Sequence, residues 1–341
     1  MRRRTLAAAL LPILLLAASA CSSGDEPAAN ASGSGAKGAD KVTLMLNWYP
    51  YGEHAPIYYG VKHGIFAKHG IDLNIQAGQG SGATVQAVGA GNADFGWADT
   101  PALLAGVEKG IPIKSLGVYL QTTPASVQFF SAKGYTSPAD LKGKTIAGTA
   151  GDALSKTFPM FLARNGLKLS DVKIQNTAPA SKISAVISGQ VDALLGNAND
   201  QGPTIAKKTG KGTSAMKFAD FGLTYYSNGL IASDSELSKT DLVDRMVKAM
   251  SESWTEAAKD PKAAVDSMAG TSQQLPAPEV LRKQFDATLQ LLHTKDSTSL
   301  PPGANTAADW NATVQTAKEA GLISTAKPVS DYWDDSVALK G

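Results

Sequence analysis

One cysteine, four histidines and 7% aromatic residues leave this 341-residue chain little material for several kinds of chemistry. A single cysteine closes no internal disulfide and builds no cysteine-rich zinc site. His54, His63 and His69 lie close in sequence, but none of them are at the i, i+4 spacing that sets two zinc ligands on one helix face. No G-x-S-x-G elbow is present to raise a nucleophilic serine. Nothing here points to a metal, a cofactor or an enzyme. An excess of either charge is also missing. Arg2, Arg3 and Arg4 are three of the 32 basic residues, and beyond residue 20 there remain 29 against 30 acidic ones. Without a basic surplus there is no electrostatic footprint for nucleic acid. Apolar runs are equally scarce. Leu6 to Leu16, broken by Pro12, is too short to cross the ~30 Å hydrocarbon layer as a helix.

That short run has a meaning of its own. Three arginines, an apolar stretch and the small residues Ala18-Ser19-Ala20 lead directly to Cys21, the only thiol. The order predicts an export signal over residues 1–20. Ala18-Ser19-Ala20-Cys21 resembles a bacterial lipobox, which implies lipidation at Cys21 and a protein anchored to the cell membrane but working in water. The alternative is a cleaved secretory signal with an incidental cysteine. Residues 21–40, rich in Ser, Gly and Ala, predict a flexible tether.

From Lys41 the pattern becomes that of a folded α/β protein. Val42, Leu44 and Leu46 alternate with Thr43, Met45 and Asn47 as in a strand, Pro56 opens a helix, and Ile71, Leu73 and Ile75 mark a second strand. Further strands are predicted at 94–98, 113–120, 144–147, 172–175 and 191–195, with helices between them. Thr100 and Pro101 read as the cap and first position of one helix. After Ser233 the periodicity is helical, over about 242–258, 278–292 and 307–320. Alternating strands and helices predict parallel-type sheets with helices on their faces. The cycle runs twice, which predicts two lobes: residues 41–125 as the first part of lobe 1, 126–235 as lobe 2, and 236–341 as a helical part returning to lobe 1. The stretches Tyr119 to Gln128 and Tyr225 to Ala232 are read as connections between the lobes.

In open α/β sheets ligands sit beyond the carboxyl ends of the strands, so the residues there are the candidate site. Asn47, Trp48, Tyr51 and His54 follow the first strand; Trp48 suits stacking on a flat ligand, or else seals a core edge. Ser81 and Gly82 lie in a glycine-rich turn, Gly78 to Gly82, which is neither G-x-G-x-x-G nor a P-loop. Asp99, Thr100, Tyr119, Gln121, Asp152, Asn197 and Asn199 follow later strands, and Tyr225 stands at a crossing. These strand ends carry acids, amides and hydroxyls but no Arg or Lys. That composition suits a ligand bearing amino groups better than a sulfonate. For Asp99 and Asp152 the plainer reading is charge complementarity at a helix start, worth ~0.3–1 kcal/mol.

The order of several short segments carries a family likeness. Leu46-Asn47-Trp48-Tyr49-Pro50 with His54-Ala55-Pro56, Gly64-Ile65-Phe66, Gly70-Ile71-Asp72-Leu73, Gly80-Ser81-Gly82, Ala93-Asp94-Phe95-Gly96, Leu141-Lys142-Gly143-Lys144 and Gly189-Gln190-Val191-Asp192-Ala193 resembles substrate-binding proteins of ABC transporters. The resemblance is closest to the group handling thiamine-pyrimidine precursors, with nitrate and sulfonate (taurine) binders more distant. It implies a two-lobed type II periplasmic-binding fold that closes on a small planar nitrogen-containing ligand and docks, as a monomer, onto a permease and its ATPase. The same residues named at the strand ends would line its cleft. Some eukaryotic relatives synthesise the pyrimidine and carry a cysteine-rich motif that this chain lacks. The competing expectations are an oxyanion binder, for sulfonate or nitrate, and a surface enzyme acting on a heteroaromatic.

Overall fold

The computed structural model describes residues 38–150, 152–337 and 339; the signal segment, Cys21 and most of the predicted tether lie outside the described residues. Among the described residues, ten strands form two five-stranded sheets. They are β1 (Asp40–Met45), β2 (Ile71–Gln76), β3 (Phe95–Asp99), β4 (Ile113–Val118), β5 (Ala125–Phe130), β6 (Thr145–Gly148), β7 (Lys173–Asn176), β8 (Ala193–Asn197), β9 (Thr213–Lys217) and β10 (Asn228–Ser233). The first sheet has the order β2-β1-β3-β10-β4 and the second β7-β6-β8-β5-β9. The two-lobed α/β architecture expected from the sequence is therefore present.

Each sheet is parallel at its heart, with β1 beside β2 and β3, and β6 beside β7 and β8. Each also takes one antiparallel strand from a chain that has just crossed between the lobes. β5 enters the second sheet against β8 and β9, and β10 returns to the first against β3 and β4. The stretches read from sequence as bare connections thus contribute sheet strands. The return to lobe 1 also comes before residue 228, not at the expected boundary of 235. The reversal has a functional consequence. A parallel strand presents its carboxyl end to the cleft, and its antiparallel neighbour presents its amino end there. Hence Asn228, first in β10, sits opposite Asp99, last in β3, and Ala125, first in β5, sits opposite Asn197, last in β8.

Hydrophobic patterning explains the layers. In β1, Val42 and Leu44 are buried in the lobe 1 core while Thr43 and Met45 are only partly covered. The helix Thr240–Lys259 buries Val243, Met246, Val247, Met250, Trp254 and Ala257, an i, i+3/i+4 stripe. Trp254 stacks on Trp97 of β3 at 5.4 Å between ring centroids, with Tyr119 5.3 Å from each. The helix Thr240–Lys259 therefore packs on the first sheet. The helix Pro278–Leu289 does more, because it reaches the floor of the cleft. It approaches the backbone at Gly52 so closely that a Cβ there would strike the Leu281 carbonyl, and Gly52 N–H donates to Gln284 Oε1 at 3.0 Å.

Candidate ligand-binding site

Two adjoining chambers open between the lobes. The outer one, about 400 Å³, is lined by Trp48, Tyr51 and Gly80 from lobe 1 and by Lys182, Ile183, Asp200, Gln201 and Thr204 from lobe 2. The inner one, about 160 Å³, is lined by Asp99, Ser227 and Asn228 on one side and by Thr123, Ala125 and Tyr225 at the crossings. Asn47, Ser81, Asp152, Leu154 and Asn197 border both. The sizes suit a small molecule.

Of the residues expected from sequence, Asn47, Trp48, Tyr51, Ser81, Asp99, Asp152, Asn197 and Tyr225 line this cavity. The others do not. His54 is fully buried behind Asn47: its Nε2 lies 2.8 Å from Asn47 Oδ1, and its Nδ1 accepts from Tyr51 N–H. Burial pushes its pKa down to about 3, so it is neutral and holds Asn47 in place. Gly82 is exposed on the helix Ser81–Gly89. Thr100 is buried and donates to the Ser227 carbonyl at 2.7 Å. Tyr119 belongs to the tryptophan stack, where burial raises its pKa. Gln121 donates to the Ala304 carbonyl and accepts from Ser297. Asn199 is fully buried below the cleft.

The residue that gathers this floor is Glu53, which strand-end reasoning passed over. Its side chain is fully buried and accepts from Tyr51 Oη (2.5 Å), Trp97 Nε1 (2.8 Å), Asn228 Nδ2 (2.6 Å) and Asn199 Nδ2 (3.0 Å). Burial raises its pKa, and the four donors act the other way. Asn199 comes from lobe 2 and also donates to Thr288 Oγ1 of the helix Pro278–Leu289 at 2.9 Å. One carboxylate thus joins β3, β10, the loop after β8 and the C-terminal helices. The signal in the sequence was an acid set among Tyr51, Gly52 and His54 just before an apolar helix.

The acids of the cleft are poised differently. Asp99 is the N-cap of the helix Thr100–Glu108, one residue earlier than the sequence suggested, but its side chain makes no cap bond. Instead Oδ1 accepts from Ser227 Oγ at 2.9 Å, and burial pushes its pKa up to about 7. Asp200 is likewise raised to about 7 by burial, with Glu53 adding to the shift. Asp152 does cap its helix, accepting from Ser155 N–H at 2.6 Å while bordering both chambers. Beside Asp99, Asn228 is 1% exposed and its Oδ1 has no partner among the described residues. Lys182 corrects the view that the cleft holds no cation. It opens the helix Lys182–Ile187, not a strand end, and so escaped that inventory. Among the described residues no cluster of His, Cys, Asp and Glu could hold a metal ion.

Two α/β lobes around a polar cleft define the type II periplasmic-binding fold. The crystal structure of the periplasmic aliphatic sulphonate binding protein of Escherichia coli superposes with a TM-score of 0.67 over 88% of this chain and 94% of that one, at 16% identity. Within that class, the chain belongs to the NMT1/THI5 like family, which residues 52–264 match. A binding protein of Brucella abortus is 29% identical over 60% of this chain and 63% of its own length, so the match falls short of two thirds of that relative. The formylaminopyrimidine-binding protein of Halalkalibacterium halodurans is 22% identical over 81% of this chain and 84% of its own. A 4-amino-5-hydroxymethyl-2-methylpyrimidine phosphate synthase of Uromyces fabae is 32% identical over 48% of this chain and 47% of its own.

Proposed function

We propose that this protein is the extracytoplasmic substrate-binding component of an ABC importer, and that it captures a small planar molecule rich in nitrogen donors, of the thiamine-pyrimidine-precursor kind. It would be held to the membrane by lipid on Cys21, work as a monomer, and deliver its ligand to a permease driven by an ATPase. The observation that carries the ligand class is the convergence of acceptors on the inner chamber: Asp99, Asp152, Asn197 and the unpartnered Oδ1 of Asn228. Amino and ring N–H groups satisfy such acceptors, whereas an anion alone would leave them unpaired. Trp48 and Tyr51 in the outer chamber supply flat apolar surface beside them. The name of the Halalkalibacterium relative supports the same ligand class.

Thermal shift tests this directly, because a ligand that binds only the native state stabilises it by RT ln(1 + [L]/Kd), ~2.7 kcal/mol at a hundredfold excess over Kd. Aminopyrimidines should raise the melting temperature, and taurine or nitrate should not. The reverse pattern would establish the oxyanion alternative, which Lys182 in the outer chamber favours. A surface enzyme acting on a heteroaromatic is separated by incubation: recovery of unchanged ligand, read by native mass spectrometry, supports the binder.

A further inference from the structure

A ligand that only donates hydrogen bonds leaves Lys182 idle. This lysine is 6% exposed, yet it borders the outer chamber. Its Nζ donates to the Leu195 carbonyl at 2.9 Å. No carboxylate oxygen stands within ion-pairing distance of it among the described residues. An ammonium has three N–H donors, so two are left without a protein acceptor inside a largely desolvated wall. Burial lowers its pKa, while the nearby charges of Asp152 and Asp200 act to hold it up. A buried cation with spare donors facing a cavity is costly until an acceptor arrives.

Among the described residues, the inner chamber holds acceptors and no cation. The inner chamber presents Asp99 and the unpartnered Asn228 Oδ1. At about 160 Å³ it compares with the ~150 Å³ cavity that holds benzene in an engineered protein, so it has room for one six-membered ring. Five residues border both chambers, which lets a single ligand occupy the two together.

We propose that Lys182 makes the outer chamber an oxyanion subsite, so that the ligand is bipolar: a nitrogen-donating ring enters the inner chamber and a carboxylate or phosphate tail meets Lys182. The ring's placement rests on the donor reading given above; the tail rests on Lys182 alone. Ser81 and Gly80, at the start of the helix Ser81–Gly89 on the opposite wall, bound the same space. The tail therefore lies between the lobes, and Lys182 reports from lobe 2 whether a ligand is complete.

Three 4-amino-2-methylpyrimidines that differ only at C5 provide the test: hydroxymethyl, acetate and hydroxymethyl phosphate, titrated by calorimetry into the wild type and into Lys182→Met. The wild type should bind at least one anionic compound about tenfold or more tighter than the neutral one, and the better of the two names the tail. Lys182→Met, of similar length, should erase that preference, leaving the anionic and neutral compounds within about threefold of each other. A preference that survives in Lys182→Met, or a wild type indifferent to the tail, overturns the subsite. If no compound binds at all, the nitrogen-donor reading fails instead. Inorganic phosphate then probes Lys182 separately: binding lost in Lys182→Met supports the subsite, and absence of binding in the wild type overturns it. Lys182→Gln keeps a donor for the Leu195 carbonyl and replaces Lys182→Met should the latter not fold.

Discussion

At the scale of single residues, the cleft separates groups that face ligand from groups that hold those groups still. Trp48 is half-buried and packs edge-on against Tyr49 at 5.6 Å, so little of the core depends on it. Trp48→Ala should therefore weaken ligand binding by ~2 kcal/mol, about 30-fold in Kd, with little change in melting temperature. Equal loss of stability and binding would make it a core-edge residue. Asp99 makes a pH prediction. Its carboxyl is raised from 3.8 to about 7 in the folded chain, so the folded state keeps a proton that the unfolded chain releases. The stability tied to that proton is fully present below about pH 4 and is lost as pH rises to about 7. Asp99→Asn, which keeps an acceptor for Ser227, should be more stable than the wild type at pH 8 and no more stable at pH 4. Parallel denaturant curves at the two pH values check it.

At the scale of elements, the floor of the cleft is a junction. β3, β10, the loop after β8 and the helix Pro278–Leu289 meet at Glu53, and Gln284 of that helix donates to Asp200 Oδ1 at 3.2 Å. Removing the acceptor strands four buried donors, each costing ~1–3 kcal/mol when unpaired. Glu53→Ala should destabilise the protein by at least ~3 kcal/mol in chemical denaturation, although the residue lines neither chamber. A loss below 1 kcal/mol would mean that water replaces the carboxylate and that the junction is not held by it.

This scale also explains what strand-end reasoning could and could not find. Asn47, Asp99, Asp152 and Asn197 were legible because parallel strands end at the cleft, and their alternation or helix-start chemistry is local. Asn228, Ser227, Thr123 and Ala125 were not, because the periodicity of β5 and β10 does not reveal that these strands run backwards in their sheets. His54 and Gln121 were named for standing near a strand end, yet their side chains turn into the protein to satisfy buried partners. Lys182 gave no local signal at all: a lysine at the head of a short helix looks like a solvated one until its ammonium is found buried against the Leu195 carbonyl.

At the scale of the whole molecule, no described helix is long and apolar enough to cross a membrane. Lipid on Cys21 is the anchor proposed above, and one substitution tests it. Cys21→Ser should move the protein from the membrane fraction to the soluble extracytoplasmic fraction without altering ligand-induced thermal shift. Retention in the membrane fraction would point to another anchor.

The sequence by itself determined the α/β rhythm, the helical periodicity after Ser233 and the class of side chain at the parallel strand ends. Each of these is written in local periodicity or local composition. The tertiary structure alone decided which of those side chains share a cavity, that Glu53 is the floor, and that a lysine borders the same cleft as the acids. These depend on two lobes being brought together by strands that reverse direction, and on the burial that results. Burial, not residue type, is what raises Asp99, neutralises His54 and leaves Lys182 with donors to spare.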